Sequence, residues 1–272
     1  MKRLFGKKFL SILILTVLLT TCVSNPFTGK NSMALVGNNY LFASSVSQYK
    51  SFLNESKVIT NTPEANMIKN VGDKIKRAAE KWAAAEGVPN YLKNYKWEFS
   101  LVDSKEVNAW AMPGGKVVFY TGILPFTKNE AGIAVVMGHE VSHAILNHGQ
   151  QRVSANILQQ LGAVGVSVLT LDQTPETQAL AMTIYGAGSA LFGTLPYSRS
   201  HESEADQIGL VLMTIAGYPP ETAADFWVRM SSSGSSVPEV LSTHPSDKTR
   251  INALRRYIPT AKKKAAQIGI IN

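Results

Sequence analysis

"GIAVVMGHEVSHAILNH", residues 132–148, holds three of the five histidines of a 272-residue chain. Its other residues are mostly apolar or small, so the segment reads as the inside of a protein. The pattern predicts a buried helix beginning near Asn129. On a helix, residues four apart face the same way, about 6 Å apart along the axis. His139 and His143 therefore present two imidazoles to one point, as two ligands of a divalent metal must. Glu140 projects beside the pair, placed to accept a proton from an attacking water without being a ligand. Two imidazoles and a carboxylate without partners would be costly on a buried helix, and a metal that pairs them removes the cost. On a continuous helix His148 lies roughly 140° from the face of His143, so a structural or helix-terminal role is expected for it.

A hydrolytic metal with two histidines needs a third protein ligand and an open position. "HESEAD", residues 201–206, offers one about sixty residues downstream, far enough for a second helix to fold back over the first. Glu202 and Asp206 share a helix face, while Glu204 points elsewhere. Glu202 completes a His₂Glu set, and Asp206 one turn later can hold the outer nitrogen of a ligand histidine. His201 points about 100° from Glu202 and is not expected to be a ligand. Imidazole and carboxylate suit several divalent ions; one zinc ion per chain is the expectation.

Around these segments the chain reads as α+β and predominantly helical. Helices are expected over 63–85, from Asn129 through the histidines, over 156–169, through the segment beginning at Thr174, over 198–217, after Pro219 and Pro220, and at the C-terminus. Alternation predicts a strand in 95–103 and two strand pieces in 107–124 around Pro113, Gly114 and Gly115. The net charge of +8 is uneven: Lys2, Arg3, Lys7 and Lys8 lie at the N-terminus, and Arg255, Arg256 and Lys262 to Lys264 near the other end. No nucleic-acid motif accompanies that charge, so nucleic acid is not an expected partner.

The basic start is followed by an apolar run from Phe9 to Leu19 and then by Cys22, the single cysteine. An internal disulfide is thereby excluded. The run has the length of a secretory signal core, and "LTTC" resembles the lipobox of bacterial lipoproteins, with Thr21 departing from the usual glycine, alanine or serine. The expected organisation is a lipoprotein signal over 1–21, a lipid-anchored tether over 22–50 and a catalytic domain over 51–272. Val23 after the cysteine directs the expectation to the outer membrane, with the domain facing the periplasm and held there through lipidated Cys22.

"HEVSHAILNH", "LPYSRSHESEAD" with "QIGL", "NAWAMPGGKVVFYTGIL" and "STHPSDKTR", in this order, resemble the M48 peptidases, in particular their bacterial periplasmic lipoprotein branch. "NPFTGK" after the cysteine is similar to that branch as well. The resemblance implies a gluzincin-type zinc metalloendopeptidase with a small sheet beside the active-site helix. It implies His139, His143 and Glu202 as zinc ligands, Glu140 as the base and Asp206 as an acidic catalytic partner. It places His244 near the metal, which makes that residue a candidate fourth ligand. The implied substrates are unfolded or misassembled envelope proteins, with outer-membrane assembly machinery as a possible partner. An exposed strand in "NAWAMPGG" would bind substrate backbone by strand addition. Tyr197, Arg199, His201 and Arg250 are candidates to stabilise the oxyanion. Two rivals stand beside this reading: a latent or non-catalytic chaperone whose zinc is plugged by His244, and a basic surface module built on "RRYIPTAKKK".

Overall fold

The computed structural model describes residues 22–190, 195–232 and 248–269. Among them helices dominate around one small mixed sheet, as the sequence predicts. Strands β1 (Cys22–Ser24) and β2 (Asn31–Met33) form an antiparallel hairpin, followed by helix α1 (Asn38–Glu55) and the short strand β3 (Val58–Ile59). Helix α2 (Pro63–Ala85) matches its expected bounds. Thr62 caps it by accepting from the amide of Ala65, Pro63 occupies the first turn, and Gly87 follows with φ +78°. Its buried stripe runs from Ile68 through Val71, Ile75 and Ala79 to Trp82.

Strands β4 (Glu98–Val102), β5 (Ala109–Met112) and β6 (Lys116–Tyr120) join β3 in the order β3-β4-β6-β5. β4 and β6 are parallel, and the outer pairs are antiparallel. β5 is therefore an edge strand, and it runs beside the histidine helix. The short helix α3 (Leu124–Thr127) leads into that helix, α4 (Glu130–Ile145). Asn129 caps α4 by accepting from the amide of Gly132 at 3.1 Å, and every residue from Gly132 to Ile145 is buried. Helices α5 (His148–Leu169) and α6 (Pro175–Ser189) form a hairpin whose outer part exposes Leu161, Val164, Leu169, Leu180 and Ile184. Helix α7 (Leu195–Ile215) carries the acidic segment, α9 (Lys248–Gln267) packs beside it, and α8 (Glu221–Ser231) packs against α9 and α4. Among the described residues no helix is long and apolar enough to cross a membrane.

Two local expectations change. The helix through the histidines stops at Ile145, and Asn147 adopts the left-handed conformation (φ +57°) before α5 starts at His148, eight residues earlier than expected. Asparagine tolerates that conformation better than most residues. Residues 22–50, expected as a tether, contain the β1–β2 hairpin and most of α1. Phe27 is buried in the core against the edges of Trp82 and Tyr91. Asn25, also buried, donates from its amide to the carbonyl of Ile145 at 3.0 Å and to the Tyr91 hydroxyl at 3.1 Å. Turn-forming composition made this stretch look like a linker, but one aromatic and one amide fix it to the domain. Residues 1–21 lie outside the described residues.

Candidate metal centre

α4 crosses α7 at a pair of glycines. A Cβ added to Gly138 would lie 2.8 Å from the carbonyl oxygen of Gly209, and one added to Gly209 would lie 2.8 Å from the amide nitrogen of His139. Backbone touches backbone here, an approach that only glycine permits. One residue after the first glycine stands His139. Three residues before the second stands Asp206, and seven before it Glu202. The crossing thus sets the distance between the helix of His139 and His143 and the helix of Glu202 and Asp206.

His139, His143 and Glu202 converge as the sequence predicts, and all three are buried. The two histidine Nε2 atoms are 3.1 Å apart; His139 Nε2 lies 3.2 Å from one Glu202 oxygen and His143 Nε2 lies 3.3 Å from the other. Ligands about 2.05 Å from a tetrahedral zinc stand about 3.3 Å from one another. The two imidazole nitrogens and the Glu202 carboxylate, which turns one oxygen to each, gather about one point, and their chemistry fits a divalent ion of the zinc type. Glu140, also buried, lines a cleft with His143, Asn108, Trp110 and Arg152, so it sits between α4 and the edge strand β5.

The outer nitrogen of each histidine is engaged. His139 Nδ1 lies 3.1 Å from Asp206, which receives a two-pronged contact from Arg250: Nε to one oxygen at 2.6 Å and Nη2 to the other at 2.7 Å. Arg250 in turn lies over Trp227, its Cζ 3.7 Å from the ring centre. Its Nη2 also comes within 3.4 Å of His139 Nδ1. With Nε2 turned to the triangle, however, Nδ1 carries the proton and donates to the closer, charged Asp206. Burial alone would keep His139 neutral, but the Asp206 and Glu202 carboxylates outweigh it and push the imidazole up to about 9 when no metal is present. Burial pushes Asp206 the other way, yet the Arg250 charge and the bonds from His139 and Arg250 hold its carboxyl below the usual range.

His143 Nδ1 lies 2.9 Å from His148 Nδ1, so His148 is not turned away as the uninterrupted helix implied. The break at Asn147 swings it back under His143. His201 is not in the triangle; it stacks on His148 with ring centres 4.0 Å apart and sends Nε2 to Gln151 at 3.2 Å. Burial pushes its imidazole down to about 3. Of the oxyanion candidates, His201 faces Gln151, whereas the buried Arg250 and the exposed Arg199 both line a groove with Glu202, with Arg250 Nη1 3.8 Å from a Glu202 oxygen. The side chains of Tyr197 and His244 lie outside the described residues. What the sequence reading missed is the Arg250–Trp227 support for Asp206 and the position of His148. For Arg250 the one signal was its place in "STHPSDKTR"; for Trp227 there was none.

Peptidase family M48 matches residues 70–258. The chain is 34% identical over 181 residues to the mitochondrial metalloendopeptidase OMA1 of Arabidopsis thaliana, which covers 66% of this chain and 35% of that protein. It is 28% identical over 269 residues to the mitochondrial metalloendopeptidase OMA1 of Homo sapiens, covering 96% of this chain and 51% of that protein. It is 32% identical over 164 residues to the beta-barrel assembly-enhancing protease of Escherichia coli K12, covering 57% of this chain and 33% of that protein. The chain thus spans between a third and a half of the length of these relatives.

Proposed function

The chain belongs to peptidase family M48, and on that premise we propose that it is a zinc-dependent endopeptidase that hydrolyses peptide bonds in unfolded or misassembled proteins. The observation that carries the reading is the convergence of His139, His143 and Glu202, with each imidazole 3.2–3.3 Å from one carboxylate oxygen and Glu140 beside them at a cleft bounded by an edge strand. His139, His143 and Glu202 would hold the zinc. When bound, it would supply Lewis-acid activation of the scissile carbonyl and the attacking water.

The chain's own residues do the rest. β5 accepts an extended substrate as a further antiparallel strand, so recognition rests on main-chain bonds and tolerates many side chains. Glu140 takes the proton from the attacking water and delivers it to the leaving amine. Asp206 acts as a positioning residue that keeps the His139 proton on Nδ1 and the Nε2 lone pair toward the triangle. Arg199 and Arg250, which line a groove with Glu202, are the described cations available to meet the oxyanion.

The setting belongs to the same proposal. A bacterial relative bears the name beta-barrel assembly-enhancing protease, and the lipobox-like "LTTC" ends at an exposed Cys22. Both support a lipid-anchored enzyme facing the periplasm at the outer membrane. The OMA1 relatives are mitochondrial by name, so the family is not confined to one compartment.

The test is cleavage of an unfolded protein such as casein by the full chain in detergent, beside Glu140→Gln, with zinc measured in both. The parent is expected to cleave and the variant to lose about 10²–10⁴-fold in rate while keeping its zinc. A variant that cleaves as fast as its parent overturns the role of Glu140. A parent that carries one zinc and cleaves nothing overturns the endopeptidase reading.

A further inference from the structure

We infer that His148, backed by Glu204 and Lys30, is the positioning group for His143, so that the segment following Cys22 supports the metal site through this chain of contacts. The inference rests on the metal site proposed above, and it follows from counting protons along a chain of contacts. His143 turns Nε2 into the donor triangle, 3.3 Å from Glu202, and must keep a lone pair there to bind a metal. Its proton therefore sits on Nδ1. The atom facing that proton, 2.9 Å away, is His148 Nδ1, which must accept. His148 then carries its own proton on Nε2, and that nitrogen faces Glu204 at 3.4 Å. Glu204 is bonded in turn by Lys30 Nζ at 2.6 Å. Each link fixes the tautomer of the next, and the end of the chain is a lysine on the β1–β2 hairpin.

The packing holds the links in place. His148 has no solvent exposure, and it lies nearly flat against His201, with an interplanar angle of 12°. The left-handed Asn147 is what brings it there, since an unbroken helix would carry it roughly 140° from the face of His143. The N-terminal segment is fastened over the same region. The Leu35 amide donates to Ser154 on α5, Gln150 donates to the carbonyl of Val36, and Asn25 donates to the carbonyl of Ile145. Lys30 is thus held in reach of Glu204 by more than the ion pair itself.

The two ligand histidines are then supported in different ways. His139 has a carboxylate, Asp206, directly on its outer nitrogen. His143 has an imidazole there, with the carboxylate one step further out. Removing partners of this kind lowers metal affinity by about 10–100-fold.

Zinc affinity of the full chain, measured by competition with a chromogenic chelator, reads the role without relying on turnover. His148→Phe keeps an aromatic ring for His201 to stack on but cannot accept from His143, and it should weaken zinc about 10–100-fold. His148→Gln can accept with its carbonyl and donate to Glu204 with its amide, so it should recover most of that loss. Melting of the metal-free proteins identifies any variant that fails to fold. If His148→Phe is such a variant, Glu204→Ala replaces it and should also weaken zinc. Parental zinc affinity in the folded His148→Phe protein, or in Glu204→Ala, overturns this inference alone. A parent that binds no zinc overturns the metal site and this inference together.

Discussion

Replacing Gly209 by alanine should separate the two ligand-bearing helices and loosen the metal site without touching a ligand. The new Cβ would lie 2.8 Å from the His139 amide nitrogen and 2.9 Å from the Gly138 carbonyl carbon. Comfortable contact begins near 3.4 Å, and both neighbours are backbone, which cannot swing aside. The helices must part by about 0.6 Å, the difference between 3.4 and 2.8. If α7 moves as a body, the His139–Glu202 separation grows from 3.2 Å to about 3.8 Å. A zinc site tolerates about 0.2 Å per ligand. Overpacking of this kind costs about 1–3 kcal/mol. Carried into binding, that is about a 5- to 150-fold loss of zinc affinity. Chelator competition measures the loss, and denaturant unfolding of the metal-free form measures the stability. Gly165→Ala on α5 is the control, because a Cβ there meets nothing within 4 Å. It should leave zinc binding unchanged and stability equal or slightly higher. If Gly209→Ala binds zinc as tightly as Gly165→Ala, the glycine crossing does not set the ligand distance.

Two further outcomes follow from the same contacts. Asp206→Ala removes the carboxylate that Arg250 grips with two nitrogens and that faces the outer nitrogen of His139; unfolding by denaturant should show a loss of about 3–5 kcal/mol, and retention of parental stability would mean the pair is not buried in solution. Phe27→Ala should cost about 3–5 kcal/mol by the same assay, because Phe27 fills the core between Trp82 and Tyr91, whereas a free tether over 22–50 would show no change.

The convergence of His139, His143 and Glu202 was legible because the spacings that bring it about are local. His139 and His143 are one helical turn apart on a stretch whose apolar flanks guarantee burial, and Glu202 lies on a second helix with the same one-turn spacing to Asp206. Helix α2 was legible to its end residues, since Thr62, Pro63 and Gly87 mark both termini. The glycine crossing was present in "MGHE" and "QIGL", but pairing two glycines across seventy residues needs the fold. The position of His148 was misread for a different reason. Periodicity assumes an unbroken helix, and a single left-handed Asn147 cancels the angular argument for everything after it. The N-terminal segment was misread because turn formers outnumber apolar residues there, although Phe27 and Asn25 suffice to hold it.

The three acids of "HESEAD" show how far spacing reaches. Glu202 and Asp206, four apart, face α4 together, one toward the triangle and one toward the outer nitrogen of His139. Glu204, two residues from each, points to another side of α7, as helical geometry requires. It still meets the same constellation, because the break at Asn147 carries His148 round to that side. One helix therefore backs both ligand histidines from two of its faces, directly through Asp206 and through an intervening imidazole from Glu204. On this arrangement loss of Asp206 disturbs His139 while the His143 support stands, and loss of His148 does the reverse. Two supports acting on separate ligands of one metal should show coupled rather than additive losses of zinc affinity when both are removed.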